Sequence, residues 1–196
     1  MNPLKEKLKN YQIILGSQSP RRKHLLAELE LSFEVIVKNV DESFPPGLNP
    51  EMVAEYIAKK KAMAFSKELA IDKTLLITAD SIVGVDERIL GKPVNVEDAC
   101  AMLKMISGRW HTVVTGVCIS NKEKMVSFST QTSVRFKNLS NTEILHYVEK
   151  YKPMDKAGAY GIQEWIGFIG VASIEGSYTN VMGLPLNELY EQLMIF

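Results

Sequence analysis

The apolar run from Thr74 to Val85 is interrupted in its middle by Asp80 and Ser81. Dense runs such as Thr74–Ala79 and Ile82–Val85 suit strands covered on both faces, so the pair sits where a folded chain is driest. An ionised carboxylate there is costly unless it is paired, hydrogen-bonded or bound to a metal. Asp80 could orient or deprotonate a water beside a phosphorus atom, with a divalent cation held nearby. The plainer alternative is a strand-end aspartate capping a turn into Ser81.

The rest of the chain alternates helices and strands. Gln12–Gly16 reads as a strand, Arg22–Leu31 as a helix, and Phe33–Val37 as a second strand. The Pro- and Gly-bearing stretch 41–49 is a loop, and Asn49-Pro50 caps a helix expected to run to about Leu69. Asn95 starts another helix, which Gly108 can end in a left-handed cap. His111–Ile119 and Met125–Phe136 alternate with the strand period across the polar turn 121–124 and predict an antiparallel hairpin. Ser140 and Glu143 form a capping box for a helix that Pro153 stops. Residues 155–183 are expected to be a loop-rich wall with short strands, and Leu186–Leu193 a last amphipathic helix. Mixed crossovers and hairpins predict an α/β (mixed α+β) fold, and 196 residues with 46% hydrophobic content can bury the core of a single domain spanning 1–196.

Lysine and arginine balance aspartate and glutamate, so no overall field would hold a nucleic acid polymer or a membrane surface, and any anion site must be local. Cys100 and Cys118 lack CxxC spacing and read as reduced core residues. The amino terminus has no apolar stretch, which predicts neither signal peptide nor membrane span and a cytoplasmic protein.

Ser17-Gln18-Ser19-Pro20-Arg21-Arg22 joins the first strand to the first helix, with Ser19 as cap. Arginines in a first turn oppose the helix dipole, a conflict a bound phosphate would remove. Solvated arginines are the alternative. Lys92, in Leu-Gly-Lys-Pro, could reach phosphates as a point charge, although the spacing is not that of a P-loop. Lys59, Lys60 and Lys61 point in successive directions round a helix, so at most one should face a site. Asp41 and Glu42 could add a metal-binding oxygen or simply be solvated. His24, His111 and His146 lack metal-ligand spacing. In Lys156–Gln163, small residues permit close backbone approach and Gln163 carries an amide able to read a base edge; a tight turn between strands accounts for the glycines equally well.

Six segments in order, Gly-Ser-Gln-Ser-Pro-Arg-Arg (16–22), Thr-Ala-Asp-Ser (78–81), Ile-Leu-Gly-Lys-Pro (89–93), Ser-Gly-Arg-Trp-His-Thr-Val-Val-Thr-Gly (107–116), Asp-Lys-Ala-Gly-Ala-Tyr-Gly-Ile-Gln (155–163) and Gly-Ser-Tyr-Thr-Asn-Val-Met-Gly-Leu-Pro-Leu (176–186), resemble the Maf family over nearly the whole chain. The resemblance implies a two-lobed fold round an elongated mixed sheet, related to inosine triphosphate pyrophosphatases. It implies metal-assisted (Mg²⁺ or Mn²⁺) attack of water on a nucleoside triphosphate, releasing pyrophosphate. By likeness Asp80 is the general base and a metal ligand, with Glu42 a second ligand. Ser17, Arg22, Lys61 and Lys92 would grip the triphosphate, and Arg21, Ser81 and Gln163 would select the base. The Tyr-Gly-Ile-Gln ending is similar to the dTTP/UTP branch rather than the 7-methyl-GTP branch. Alternatives are a pyrophosphatase for modified nucleotides and a nucleotide-binding regulator of cell division. A homodimer is expected because similar proteins form dimers. Three departures stand out: Ser81 for threonine, Gly16 for alanine, and Glu164-Trp165 where glycine is usual, with Trp165 bulky enough to reshape a base pocket.

Overall fold

The computed structural model describes residues 2–196. In chain order its elements are α1 (Pro3–Lys7), β1 (Gln12–Leu15), α2 (Pro20–Ala27), β2 (Phe33–Val35), α3 (Pro50–Met63), α4 (Ser66–Leu69), β3 (Thr74–Val85), β4 (Arg88–Leu90), α5 (Val96–Ile106), β5 (Trp110–Ser120), β6 (Met125–Phe136), α6 (Asn141–Tyr151), a 3₁₀ turn at Ala157–Ala159, α7 (Trp165–Gly170), β7 (Val171–Glu175), α8 (Tyr178–Met182) and α9 (Leu186–Ile195). The strands follow the order β2-β1-β3-β5-β6-β7, with β4 paired to β3, which is the mixed α/β architecture expected.

The chain divides into two compact units. The first holds Met1–Asp80, Thr115–Thr130 and Gly183–Phe196; the second holds Ser81–Val114 and Gln131–Met182. The boundary falls within β3, between Asp80 and Ser81, at the polar interruption of the apolar run.

In the first unit β1 lies parallel to both β2 and β3, with Leu15 opposite Ile77. Leu75, Leu76 and Ile77 are fully buried, as a strand covered on both faces requires. Helix α3 turns Val53, Ala54, Ile57, Ala58 and Ala62 inward. It approaches β5 so closely that a Cβ at Gly116 would stand 2.3 Å from the Ala54 carbonyl carbon, so glycine is what permits the contact. The helix predicted to reach Leu69 breaks at residues 64–65. Ala64 and Phe65 bond back three residues instead of four, and Phe65 swings into a cluster with Ile14, Ala58, Leu76 and Cys118. Burial of that ring outweighs continuation of the helix. The short α1, capped by Asn2, was not expected from the sequence and packs on α9.

The second unit is built on α5, α6 and the far ends of the long strands around Leu103, Ile106, Phe136, Tyr147 and Ile166. Asn95 and Ser140 cap their helices as read, including the reciprocal Ser140–Glu143 box, and Gly108 follows α5 at φ +70°. Residues 155–183 hold a short strand, as expected, but also two helices where a loop-rich wall was expected. They contain α7, β7 and α8, and β7 pairs antiparallel with β6. The apolar period of α7 is hidden in the sequence by Gly167 and Gly170. A Cβ at Gly167 would lie 2.0 Å from the Ile162 carbonyl oxygen, so packing requires glycine inside this helix despite its propensity cost.

Candidate active site

Past the carboxyl end of β1, where its parallel pairing with β3 stops, the Gly16 N–H donates to the Ile77 carbonyl at 2.8 Å, and the chain turns out through Ser17. Such ends of parallel strands are where open α/β sheets bind ligands. Gly16 itself is explained by its neighbours: a Cβ would meet Thr78 at 2.8 Å and the Phe65 ring at 3.1 Å. Ser17 is buried, and its hydroxyl accepts the Ser19 N–H at 3.2 Å and the Arg22 guanidinium at 3.4 Å. Ser19 caps α2 through the Arg22 N–H, as its position before Pro20 predicted. The Arg22 side chain folds inward rather than into solvent, donating to the Gly183 carbonyl at 2.8 Å. Burial pushes its pKa down, an effect opposed by the charge of Asp80 and, less strongly, of Glu42, and reinforced by neighbouring Arg21. Arg21 is half-buried beside it.

Helix α3 supplies the lysine. The Thr78 hydroxyl donates to the Ala58 carbonyl at 2.7 Å, locking β3 to α3 one turn before Lys61. The Lys61 ammonium then lies 2.6 Å from Asp80 Oδ1 and 2.8 Å from Glu42 Oε1. Of the three successive lysines, this one faces the site. Lys60 binds Asp41 at 3.0 Å and Lys59 lies 3.9 Å from Glu55, both on the outside of the helix. Asp41, hydrogen-bonded by Ser43 and by Lys60, is held down to about 2 and turns to these partners, so the two adjacent loop acids divide between surface and site. Asp80 is 7% exposed, and Lys61 answers the cost of burying its charge.

In the second unit β3 turns back into β4, a hairpin absent from the sequence reading, with Val83 opposite Leu90. Lys92 follows on an exposed loop. The Gly158 N–H donates to the Gly91 carbonyl at 3.1 Å, so the 155–163 segment docks on the loop that carries Lys92. Gly158 takes φ +66° against Val83, where a Cβ would come within 2.9 Å. Ser81 is half-buried on β3. Gln163 has a buried Oε1 without a hydrogen-bond partner, an acceptor left over by the fold. Trp165 packs edge-on against His146 of α6, ring centroids 5.0 Å apart. His111 pairs with the Tyr160 hydroxyl at 2.8 Å, and burial drives its pKa down to about 4, so it is a core histidine. Among the described residues no group of three or more His, Cys, Asp or Glu could hold a metal ion, and no helix is long and apolar enough to cross a membrane. Cys100 and Cys118 are free thiols, the second buried and the first half-buried.

Two residues of this region escaped the sequence reading as partners: Tyr147 of α6 and Lys156, which both reach Glu164. The only signal was that Glu164 stands where glycine is usual.

This fold defines a class. The Ham1 protein of Staphylococcus aureus superposes with a TM-score of 0.54 over 93% of this chain and 98% of its own, at 18% identity, a likeness of architecture. The Maf-like protein family matches residues 12–196, and the chain belongs to that family. Relatives named dTTP/UTP pyrophosphatase are 53% identical in Porphyromonas gingivalis (97% of each chain covered), and 50% identical in Parabacteroides distasonis (97% of this chain, 99% of the relative) and in Flavobacterium johnsoniae (97% of each).

Proposed function

We propose that this chain is a dTTP/UTP pyrophosphatase, splitting the triphosphate between its α and β phosphorus atoms to give the nucleoside monophosphate and pyrophosphate. The observation that carries the reading is Asp80, a buried carboxylate in the middle of β3, three residues past the end of its parallel pairing with β1, held at 2.6 Å by an inward-turned lysine. The full-length likeness to dTTP/UTP pyrophosphatases gives the substrate.

The chemistry divides among the residues as follows. Asp80 is the base that takes a proton from the attacking water. Lys61, released from a carboxylate by an incoming phosphate oxygen, neutralises charge on the triphosphate together with Arg22, whose fixed guanidinium fork suits phosphate geometry. Ser17 adds a hydroxyl donor, and Lys92 a positive charge for the leaving pyrophosphate. Arg21 and Ser81 lie next in sequence to two of these groups and are assigned to the base and sugar side. Gln163 offers its Oε1 to the ring N3–H that thymine and uracil share, while its NH₂ can donate to a ring carbonyl.

The residues present fit a divalent cation. Asp80 and Glu42 already bracket one positive group with hard oxygen donors, and Mg²⁺ is commonly held by one or two carboxylates with phosphate oxygens and water completing the shell. Asp80 and Glu42 would hold Mg²⁺ or Mn²⁺, which would lower the pKa of a bound water and offset phosphate charge. We take 1–196 to act as one domain, cytoplasmic and homodimeric, the last to be checked by light scattering.

The test is pyrophosphate release from dTTP, UTP, dCTP, GTP and 7-methyl-GTP with Mg²⁺ or Mn²⁺. Preference for dTTP and UTP supports the assignment. Preference for 7-methyl-GTP, or no release by folded protein, overturns it, the second outcome in favour of a binding regulator.

A further inference from the structure

Gln163 is flanked by residues tied to a single buried oxygen. The Gly161 N–H donates to the Tyr147 hydroxyl at 3.0 Å, and that hydroxyl donates in turn to Glu164 Oε2. The other Glu164 oxygen lies 3.2 Å from the Lys156 ammonium, which also holds Asp155 at 2.8 Å. The Glu164 N–H closes the turn on the Gly161 carbonyl at 3.0 Å. The turn has no slack: a Cβ on Gly161 would stand 2.8 Å from the Glu164 carboxyl carbon and 3.0 Å from Gln163 Nε2. Tyr147 is fully buried in α6, a rigid capped helix, and Lys156 is 7% exposed. Burial, then the hydrogen bond to Glu164 and the charge of that carboxylate, raise the Tyr147 pKa, so the phenol stays protonated and able to donate.

We propose that Tyr147 and Glu164 are positioning residues for Gln163: the phenol, gripping the turn on both sides of the amide, fixes the direction of Oε1 and so sets the preference for a pyrimidine over a purine triphosphate. The inference rests on the pyrophosphatase reading above. The Glu164 carboxylate, bonded to Tyr147 on one oxygen and to Lys156 on the other, holds the turn. Preorganisation of this kind acts on binding of the base and leaves the phosphate chemistry alone, because a reader already in place loses no conformational freedom when substrate binds.

The experiment is steady-state hydrolysis of UTP and GTP by the wild type, Tyr147→Phe, Glu164→Ala and Glu164→Gln, each checked for folding by thermal melting. Tyr147→Phe removes one oxygen and keeps the ring. It is expected to raise KM for UTP about tenfold with kcat within about twofold, and to lower the UTP-to-GTP ratio of kcat/KM by about tenfold, the loss of one well-aligned hydrogen bond. Glu164→Ala approaches the same contact from the other side, so the ratio should fall similarly even where Tyr147→Phe folds poorly. Glu164→Gln, which keeps an acceptor for the phenol, should restore the ratio to within about twofold of wild type. A wild-type ratio in both Tyr147→Phe and Glu164→Ala, or equal loss of kcat on UTP and GTP, overturns the positioning role. A wild type that releases no pyrophosphate from UTP fails the pyrophosphatase reading instead, and the two failures are distinct.

Discussion

Each unit sets one inward-turned lysine between two carboxylates, and the two triads are built differently. Lys61, Asp80 and Glu42 come from a helix, a core strand and a loop far apart in the chain, whereas Lys156, Asp155 and Glu164 lie within one short segment. In the second triad the glutamate is completed by a neutral donor, Tyr147, which also satisfies a backbone N–H. That is how a turn is made rigid. In the first, Glu42 has a side chain 39% exposed, and the two carboxylates that hold the ammonium also act on the charge of Arg22, which bonds Ser17. Like charges on like partners therefore teach little by themselves. Sequence separation and the presence of a further neutral donor distinguish an ion pair that shapes the chain from one able to lend its cation to a substrate phosphate.

The comparison breaks most readily at Asp80. Asp80→Asn should lower kcat on dTTP about a thousandfold while moving the melting temperature by only a few degrees, since the amide still accepts from Lys61. Substantial residual turnover would make the first triad as structural as the second. Next in size is an acid effect confined to the second unit. His111 is neutral when folded, with a pKa lowered from 6.5 to about 4 by burial, so the unfolded chain binds the additional proton between those values. Stability is thus full above the ordinary histidine range and falls as pH drops through it, by about 3 kcal/mol at most. Urea denaturation from pH 7 to 4 should show that loss, and His111→Gln should flatten it.

Lys61→Met should cut kcat/KM on UTP about thirtyfold, a loss of roughly 2 kcal/mol of charge complementarity, with the fold retained. Lys156→Met should do the reverse: about 2 kcal/mol lost from unfolding free energy in urea, because Glu164 is left without its cation, and turnover of dTTP by the folded fraction little changed. A Lys156→Met protein as stable as wild type would show that Tyr147 satisfies Glu164 without help.

Much of the fold was legible along the chain. The caps at Ser19, Asn49, Asn95 and Ser140 act over three residues, so their partners are written beside them. The burial of β3 followed from its two apolar runs, and the interruption at Asp80 between them pointed to the candidate site. The break after α3, the β4 hairpin and helix α7 were not legible. The break depends on where Phe65 finds a cavity, and α7 depends on glycines that read as loop until Ile162 is seen against Gly167. Neither signal has a period.

The sequence by itself determined which residues bear charge or hydroxyl near Asp80, that at most one lysine of three would turn inward, and that Gln163 sits among small residues. Tertiary structure decided which lysine: Lys61, because Thr78 pins α3 one turn earlier, and because Gly116 lets that helix approach the sheet. It decided also that Glu164, read as a mere departure from glycine, would meet Tyr147 and Lys156. The physical reason is the same in both cases. A side chain's direction along a helix or strand follows from local periodicity, whereas its partner depends on how closely two backbones pack, and that distance is set by atoms remote in the chain.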